Sequence, residues 1–409
     1  MTTSLEGKDV SLWVETTEQT NYPKLTTDDT VYDLVVVGGG VTGVAAAYQA
    51  QMRGLKTALI DKSRLIEWTT GNTTAKLTSQ HYLIYNYLIE NQGEAVARSY
   101  AEANQKGIDM VAMLSKKHQI ESEFTPTDAY VYTAKPEKID DIKREVEAAK
   151  SLGIAADYVE RIELPLKSAG AIRFSHQAQF HPRKFLLGLA KVFVENGGMI
   201  YEQTEATDIT PGEVHSITTK QGELRARHIL QASGEPFWGN EIFKNRMWTK
   251  MSYALALTLK DPSAYPKGMY ITTDEPMRTI RSAIYKSRPV LIFGGESHEY
   301  SESSFDPELH YKNLIDDAHR SYDVEEILFR WLAGDNMPYD RMPYFGAMPD
   351  HPTIYVSTGY RAWGLAWAMS ATESIIDDIL GSPAAWAKPF GLERLKDAPA
   401  ENSNLHHSM

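Results

Sequence analysis

The stretch DLVVVGGGVTGVAAA at residues 33–47 limits the possible folds of this chain more than any other part of the sequence. An apolar, β-branched run leads into a glycine cluster, and an alanine-rich helix start follows. Gly38, Gly40 and Gly43 fit the pattern G-x-G-x-x-G, whose glycines allow a tight turn, close approach of a pyrophosphate, and close packing of helix on strand. The pattern predicts a dinucleotide bound at a helix N-terminus, where free N–H groups and the helix dipole favour negative charge.

An acidic residue completes this unit. A second apolar run, KTALID, ends at Asp61, which lies about 20 residues after the glycines, where a ribose-binding carboxylate belongs. Such a carboxylate selects a ribose with a free 2′-OH, so NAD or FAD is favoured over NADP. The unit has the order that dinucleotide binding requires: strand, glycine loop, helix, second strand and acid. A glycine-rich turn without a ligand would not need this order.

Composition excludes several classes of function. The chain has 409 residues, 42% hydrophobic and 23% charged, as expected of a soluble globular protein large enough for two domains. A net charge of -12 argues against nucleic acid or an anionic membrane as a partner. The N-terminus MTTSLEGKDVSLW has neither the basic region nor the apolar run of a signal peptide, and no apolar run is long enough for a membrane span. We therefore expect a cytoplasmic protein.

The sequence contains no cysteine. Disulfides, thiolate zinc sites, cysteine-ligated iron–sulfur clusters, a catalytic thiol and a flavin attached through sulfur are thereby excluded within it. His81, His176 and His181 show no spacing typical of metal ligands, and we expect them to pack or to start a helix rather than to bind metal.

The order of elements predicts an α/β fold with a discontinuous, Rossmann-like nucleotide domain built on a parallel sheet, and an inserted antiparallel-sheet substrate domain. The strands HILQASG near 230 and TIYVSTG near 355 are the expected parallel partners of the first strand. The loop STGYRAWG then returns to the nucleotide, which favours the longer FAD over NAD. The predicted division is a leader (1–30), nucleotide-domain segments (31–115, 166–235, 335–385), substrate-domain segments (116–165, 236–334) and a C-terminal tail (386–409).

Six motifs are spread along the chain: GGGVTG, TTGNTTAKLT, QFHPRKFLLGLA, QASG, DRMPYFG and STGYRAWGLAWA. Together they resemble the superfamily of FAD-dependent amine and amino-acid oxidoreductases that includes D-amino-acid oxidase, glycine oxidase and sarcosine oxidase. SLWVETTEQTNYPKL and PAAWAKPFGLERL resemble a branch that often carries a C-terminal Rieske module, which cannot form in these residues because they include no cysteine. The resemblance implies FAD as the cofactor. We expect it to bind without a covalent link, because the sequence has no cysteine and no histidine lies between residues 62 and 80.

The resemblance also implies a set of cofactor-binding residues. They belong to the glycine loop, the acid and its neighbour, the segment running towards the flavin ring, an adenine contact, a strand end, and the loop at the flavin N1–C2=O edge: Gly38, Gly40, Val41, Thr42, Gly43, Asp61, Lys62, Thr70, Gly71, Asn72, Thr73, Thr74, Ala75, Ala206, Ser233, Gly234, Gly359, Tyr360, Arg361, Trp363, Gly364 and Leu365. At that last loop, a helix starting near Leu365 would direct its N-terminal dipole at the ring.

Candidate catalytic residues are Lys76, Tyr253, Arg281, Asp335 and Trp363. A surface position for Lys76 is an equal alternative. Tyr253, Tyr270, Arg278, Arg281 and Tyr285 lie on strands expected to form the pocket wall, although each has a structural alternative, and strand alternation places Arg281 and Tyr285 on one face.

Asp335 stands where glycine-oxidase-like relatives carry an arginine for the substrate carboxylate, so an acid there would favour a cationic or neutral amine over an amino acid. A loop cap is the alternative role of Asp335, and Arg281 or Arg361 would then bind the carboxylate.

The sequence therefore predicts an FAD-dependent oxidoreductase that removes a hydride from the carbon next to an amine nitrogen and gives an imine. Its electron acceptor would be oxygen, a quinone or a separate carrier. Two alternatives stay open: an FAD-binding electron-transfer subunit that acts with a partner, and a pyridine-nucleotide oxidoreductase. The second is disfavoured because no further G-x-G-x-x-G follows a strand in the inserted region.

Overall fold

The computed structural model describes residues 5–26 and 29–396 of the chain. The α-helices in these ranges are α1 (Leu12–Glu15), α2 (Val41–Met52), α3 (Tyr85–Gln92), α4 (Glu94–Lys117), α5 (Ile139–Ser151), α6 (Pro182–Glu195), α7 (Pro307–Ser321) and α8 (Gly364–Ile379). The strands are β1 (Lys8–Asp9), β2 (Val31–Val37), β3 (Thr57–Ile60), β4 (Lys76–Leu77), β5 (Thr125–Thr133), β6 (Ala156–Val159), β7 (Gly170–Gln179), β8 (Met199–Tyr201), β9 (Ala206–Thr210), β10 (His215–Thr219), β11 (Glu223–Gln231), β12 (Met247–Leu259), β13 (Met269–Thr272), β14 (Arg278–Tyr285), β15 (Arg288–Glu299), β16 (Val324–Pro338), β17 (Tyr344–Met348) and β18 (His351–Thr358).

An eight-stranded sheet contains the glycine-loop strand β2. Its order is β17-β18-β11-β2-β3-β8, with β10 and β9 added beside β11. The strands β8, β3, β2, β11 and β18 run parallel. The predicted partner near 230 is β11, which pairs with β2, and the predicted partner near 355 is β18, which pairs with β11. The apolar run of β2 is buried on both faces. Leu34 and Val36 pack with residues of α2 and α8, whereas Val35 and Val37 pack with residues of β9, β10 and β11. The predicted nucleotide-domain sheet is confirmed.

A ten-stranded sheet forms the second layer, in the order β1-β16-β12-β15-β14-β13-β5-β7-β4, with β6 beside β7. It is mixed rather than antiparallel as predicted, because β1 pairs parallel with β16, and β13 pairs parallel with β5. Strand β7 falls in the segment 166–235 that we predicted for the nucleotide domain, yet it pairs with β5 in this sheet. The chain therefore crosses between the two sheets more often than the sequence pattern suggests.

Glycine and proline set the ends of several helices. Helices α3 and α4 are separated at Gly93, whose φ of 87° favours glycine. In α6, Pro182 occupies the first turn and the His181 ring accepts a hydrogen bond from the Lys184 N–H. His181 thus starts a helix, one of the two roles expected from the sequence.

The fold brings three loops to one place. β2, β11 and β18 are parallel neighbours, so their carboxyl ends meet at the same edge of the sheet. The loops that follow, at 38–40, 232–236 and 359–363, therefore gather at that edge, which is where open α/β sheets bind ligands. The ten-stranded sheet faces them through β12 and β16. Residues 397–409 of the predicted tail and residues 1–4 and 27–28 of the leader lie outside the described residues.

Candidate functional site

A cavity of about 860 Å³ lies between the two sheets. This volume is near the upper end of the range for ligand pockets, roughly 300–1,000 Å³. The eight-stranded sheet contributes the glycine loop, Asp61, Lys62, Ala206, Ser233, Gly234 and residues 359–365 to its lining. The ten-stranded sheet contributes residues of β12, β14, β15 and β16, so one continuous space joins the predicted nucleotide site to the second sheet.

The glycine loop is shaped by close backbone packing. Gly38 has a φ of 111°, and a Cβ there would lie 2.5 Å from the Ala232 carbonyl oxygen. Gly43 does not line the cavity; a Cβ at Gly43 would lie 2.9 Å from the Gly38 carbonyl carbon and closer still to its oxygen. Gly40 is the N-cap of α2 without a side-chain cap, and the Val41 N–H donates to Thr70 Oγ1 at 3.1 Å. The start of α2 thus faces the cavity without a capping side chain from its own N-cap residue, which suits a pyrophosphate.

The Asp61 carboxylate holds the neighbouring loops while facing the cavity. It accepts hydrogen bonds from the Gly39 and Ser63 N–H groups, each at 2.6 Å. Burial raises the pKa of Asp61, whereas the two N–H donors and Lys62 act in the opposite direction. Beside it, the Lys62 ammonium lies 4.9 Å from the ring centroid of Trp68. These contacts fit a carboxylate at the ribose of a bound dinucleotide.

The segment after Asp61 lines the cavity with hydroxyl and amide side chains. Thr70, Asn72, Thr73 and Thr74 belong to the lining. Gly71 and Ala75, predicted with them, are not in the lining. The Gly71 carbonyl accepts from Ser11 instead, and the Ala75 carbonyl accepts from Arg281. These two backbone carbonyls therefore point away from the cavity.

The loop before α8 closes another side of the cavity. Arg361 and Ala362 both have positive φ angles, 55° and 67°, and the Arg361 N–H donates to the Asn336 carbonyl at 3.3 Å. Burial lowers the pKa of Arg361 to about 10, which leaves the guanidinium charged. The N-terminus of α8 and this guanidinium both place positive charge at the cavity, where an electron-accepting ring would gain negative charge.

His81 and Trp363 form a stacked aromatic pair on the cavity wall, with ring centroids 4.7 Å apart. The His81 ring lies 2.7 Å from both the Thr78 carbonyl oxygen, at Nε2, and the Tyr100 hydroxyl, at Nδ1. Burial lowers the pKa of His81 to about 3, so the ring is neutral, and Nε2–H donates to the carbonyl. His81 is therefore a hydrogen-bonded packing residue that also lines the site.

Lys76 is buried in the cavity wall, so a surface position is wrong. Its ammonium donates to the Tyr270 carbonyl oxygen at 3.0 Å and to the Thr279 hydroxyl. Burial, with the nearby Arg281, lowers the pKa of Lys76 well below its usual value. A lysine in this setting can hold or release a proton inside the cavity.

The side chains of two candidates, Arg281 and Tyr253, point in other directions than a place in the pocket wall would require. Arg281 does not line the cavity. It donates to the Ala75 carbonyl oxygen and lies 5.3 Å from the Trp13 ring centroid, behind the segment that follows Asp61. Tyr253 reaches the wall, but its ring packs against His310 and Tyr311 of α7 and its hydroxyl lies 3.1 Å from His298 Nε2. Strand alternation explains this, because Ser252 beside it faces Ser297 across the cavity wall.

The remaining strand candidates have structural partners. Tyr270 stacks on Tyr130 with centroids 4.7 Å apart, and Arg278 pairs with Glu296 and Asp317 at 2.8 and 2.5 Å. Tyr285 packs edge-on against Phe329. Neither Tyr270, Arg278 nor Tyr285 lines the cavity.

Asp335 lines the cavity with a lysine that the sequence reasoning missed. Lys250 on β12 is the direct cross-strand partner of Asp335 on β16, and both line the cavity. Directly opposed residues place their Cβ atoms about 4.5–5.5 Å apart, within reach of charge pairing. Burial raises the pKa of Asp335 and lowers that of Lys250, and each charge acts against the shift of the other. A lysine at the start of the apolar strand MSYALALTL was the available signal.

The residues present fit FAD. The glycine loop leaves room for a pyrophosphate, Asp61 faces the cavity, and the start of α8 with Arg361 supplies positive charge at the same cavity. In the part of the chain that the structure describes, no group of three His, Asp or Glu side chains is arranged to hold a metal ion. Among the described helices, none has both the length and the apolar character that a membrane crossing requires.

Comparison with known proteins gives a consistent result. The family model described as FAD dependent oxidoreductase matches residues 33–374. The chain is 35% identical over 368 residues to a Bacillus subtilis protein named for a Rieske 2Fe-2S iron–sulfur centre, covering 89% of this chain and 72% of that protein. It is 21% identical to gamma-glutamylputrescine oxidoreductase of Escherichia coli, covering 85% of this chain and 84% of that enzyme. The structure of glycine oxidase from Geobacillus kaustophilus matches with a TM-score of 0.76 at 18% identity, covering 88% of this chain and 98% of the other.

Proposed function

The chain belongs to the family of FAD-dependent oxidoreductases, and from that premise we propose that it oxidises a small amine or amino acid at the carbon bonded to nitrogen. The observation that carries the proposal is the single cavity that joins a dinucleotide-binding loop to a wall bearing Lys76, Lys250 and Asp335. FAD supplies the hydride acceptor for such a reaction. The protein's own residues then have to bind the amine, remove its extra proton and exclude water.

Asp335 is the residue that we propose to bind the amine. A substrate ammonium must lose a proton before its C–H bond can give up a hydride, because the nitrogen lone pair has to stabilise the imine that forms. Burial raises the pKa of Asp335 to about 6, which makes this carboxylate a stronger proton acceptor than an exposed aspartate. The proton would pass from the ammonium to the Asp335 carboxylate, which leaves a neutral amine in the cavity.

Lys250 widens the range of substrates that we would expect if Asp335 were the only charged residue in this part of the wall. The two side chains have opposite charges, so this part of the wall is close to neutral while both are ionised. A lone aspartate would repel an amino-acid carboxylate, whereas a neighbouring ammonium offsets that repulsion. The proposed substrates are therefore small amines and amino acids, with the amine on Asp335 and any carboxylate directed towards Lys250.

Anaerobic mixing with a panel of amines tests the proposal. The purified holoenzyme is mixed with glycine, D-alanine, sarcosine and a diamine, and the flavin absorbance is followed. At least one member should bleach the flavin and yield an imine-derived carbonyl product. If every member leaves the flavin oxidised while NADH bleaches it rapidly, the protein is a pyridine-nucleotide oxidoreductase and the proposal is wrong.

A matched pair of variants tests the role of Asp335. In Asp335→Asn the amide cannot accept the proton, so flavin reduction by an active amine should slow at least tenfold near neutral pH and recover as pH rises towards the amine's own pKa. Glu326→Gln makes the same chemical change at an exposed position on β16 and should leave the rate unchanged. Equal rates in all three proteins would remove Asp335 from the mechanism.

A second candidate function is an FAD subunit that passes electrons to a separate iron–sulfur protein. It is favoured by the relative named for a Rieske centre, since the present sequence has no cysteine to ligate such a cluster. A subunit of this kind that oxidises no amine would stay oxidised with the amine panel, yet its flavin, once reduced chemically, would pass electrons to an oxidised iron–sulfur protein.

A further inference from the structure

Residues 11–22, which we term the N-terminal clasp, lie against the back of the segment that lines the cavity. This segment, residues 62–75, runs from Asp61 to β4, and nine of its residues line the cavity. The clasp precedes the residues 33–374 that match the family model. The contacts between the clasp and residues 62–75 are therefore made by residues that lie outside the match to the family model.

The first half of the clasp binds two backbone carbonyls that point away from the cavity. Ser11 Oγ donates to the Gly71 carbonyl oxygen at 2.5 Å, and Trp13 Nε1 donates to the Thr73 carbonyl oxygen at 2.7 Å. Leu12 and Trp13 are almost completely buried, at 0% and 1% exposure. Because a buried carbonyl without a donor is costly, these bonds fix the direction in which Gly71 and Thr73 face.

The second half of the clasp is joined to the same segment through Arg183 of α6. The Arg183 guanidinium, itself fully buried, donates to Thr17 Oγ1 at 2.6 Å and to the Glu18 carbonyl at 3.1 Å. The same group donates to the Leu65 and Ile66 carbonyls at 3.0 and 2.9 Å. One charged side chain thus connects clasp and cavity segment by four hydrogen bonds.

Glu202 makes a third connection, from the loop after β8. Its carboxylate accepts from the Leu65 N–H at 2.8 Å, from the Tyr22 N–H at 3.0 Å and from the Thr20 hydroxyl. The clasp is therefore connected to the beginning of the segment 62–75 indirectly, through the bonds that Glu202 and Arg183 make to Leu65, and it contacts the end of the segment directly, at Thr73. The side chains of Thr70, Asn72 and Thr74 face the cavity between these fixed points.

We propose that the N-terminal clasp holds residues 62–75 in the shape that retains FAD. The donors of Ser11 and Trp13 bind the carbonyls on the back of the segment, which keeps its hydroxyl and amide side chains directed at the cofactor. Removing a clasp contact then loosens FAD in proportion to the hydrogen bond lost. The inference concerns cofactor retention and holds whichever amine, if any, the enzyme oxidises.

The test compares two tryptophan-to-phenylalanine variants. Trp13→Phe keeps an aromatic ring but removes the donor to Thr73. Trp331→Phe is the matched control, since Trp331 is buried to a similar degree and its Nε1 has no hydrogen-bond partner. The release of FAD from diluted holoenzyme is followed by the rise in flavin fluorescence, and thermal unfolding of each protein is measured in parallel.

Trp13→Phe should raise the FAD dissociation constant about fivefold, the effect of one lost hydrogen bond, and should shift the flavin absorption bands. Ser11→Ala should raise it by a similar factor, and Trp331→Phe should leave it as in the wild type. The proposal is overturned if Trp13→Phe and Ser11→Ala release FAD no faster than the wild type, or if Trp331→Phe loosens FAD equally at the same loss of thermal stability.

Discussion

Replacing Gly43 by alanine sets two well-defined effects against each other. Gly43 lies in α2, where alanine is favoured over glycine by about 1 kcal/mol of helix propensity. In this helix the added Cβ would lie 2.9 Å from the Gly38 carbonyl carbon, closer still to its oxygen, and 3.3 Å from Leu59 Cδ1. Ordinary contacts between such atoms are about 3.5–4.0 Å, so the helix has to move away from the glycine loop.

The size of the effect follows from what has to move. The closest contact is with the backbone carbonyl of Gly38, which cannot rotate away as a side chain can. Overpacking of this kind costs about 1–3 kcal/mol, and the upper part of that range is expected here. After the gain in helix propensity, the net loss of stability is about 2 kcal/mol. The shift would also move the first N–H groups of α2 away from the cavity, so FAD affinity should fall at least tenfold.

Urea unfolding of the apoprotein and fluorescence titration with FAD measure the two consequences. Gly391→Ala is the control, because Gly391 has a negative φ of -65°, and its Cβ would lie no closer than 3.3 Å to another atom. The urea midpoint should fall for Gly43→Ala and stay unchanged for Gly391→Ala. A Gly43→Ala protein with an equal or higher midpoint and normal FAD affinity would falsify the argument that close helix–strand packing requires this glycine.

Three further results are expected. Asp61→Asn should weaken FAD binding about tenfold, because an amide oxygen serves the Gly39 and Ser63 N–H donors less well than a carboxylate; unchanged affinity by fluorescence titration would contradict this. Arg361→Met should lower the two-electron potential of the bound flavin by about 30 mV, a change of roughly 1.4 kcal/mol, and an equal potential by dye equilibration would argue against a charge effect. Burial raises the pKa of Glu145 to about 7, above its unfolded value, so its stabilising contribution is complete below about pH 4.5 and is lost as pH rises through 7. The urea midpoint should therefore fall between pH 5 and pH 8, and Glu145→Gln should flatten that dependence.

Much of the nucleotide half could be predicted from local sequence. The run DLVVV, the glycines after it and the acid at Asp61 follow one another within a short stretch, and their geometry depends mainly on neighbours in the chain. The parallel partners near 230 and 355 were also identified, because strands buried on both faces are continuous apolar runs.

The substrate half resisted prediction because it depends on pairing between distant strands. The pairing of β12 with β15 has a register shift between Met251 and Tyr253, and the Tyr253 ring faces α7. A change of register by one residue moves every side chain of a strand to the opposite face of the sheet. Arg281 belongs to a strand predicted to form the pocket wall, yet its guanidinium lies behind residues 62–75, away from the cavity. No periodicity in one strand reports which neighbouring strand it meets.

The sequence by itself determined that this chain binds a dinucleotide in an α/β fold, since a strand, a glycine turn and a helix start are local and their chemistry is fixed by residue type. Only the tertiary structure decided what surrounds that nucleotide. It placed Lys250 opposite Asp335 by cross-strand register, and it laid residues 11–22 against the back of residues 62–75. Both results arise from contacts between segments far apart in the chain, where the partner of each residue is set by packing and hydrogen bonding in three dimensions.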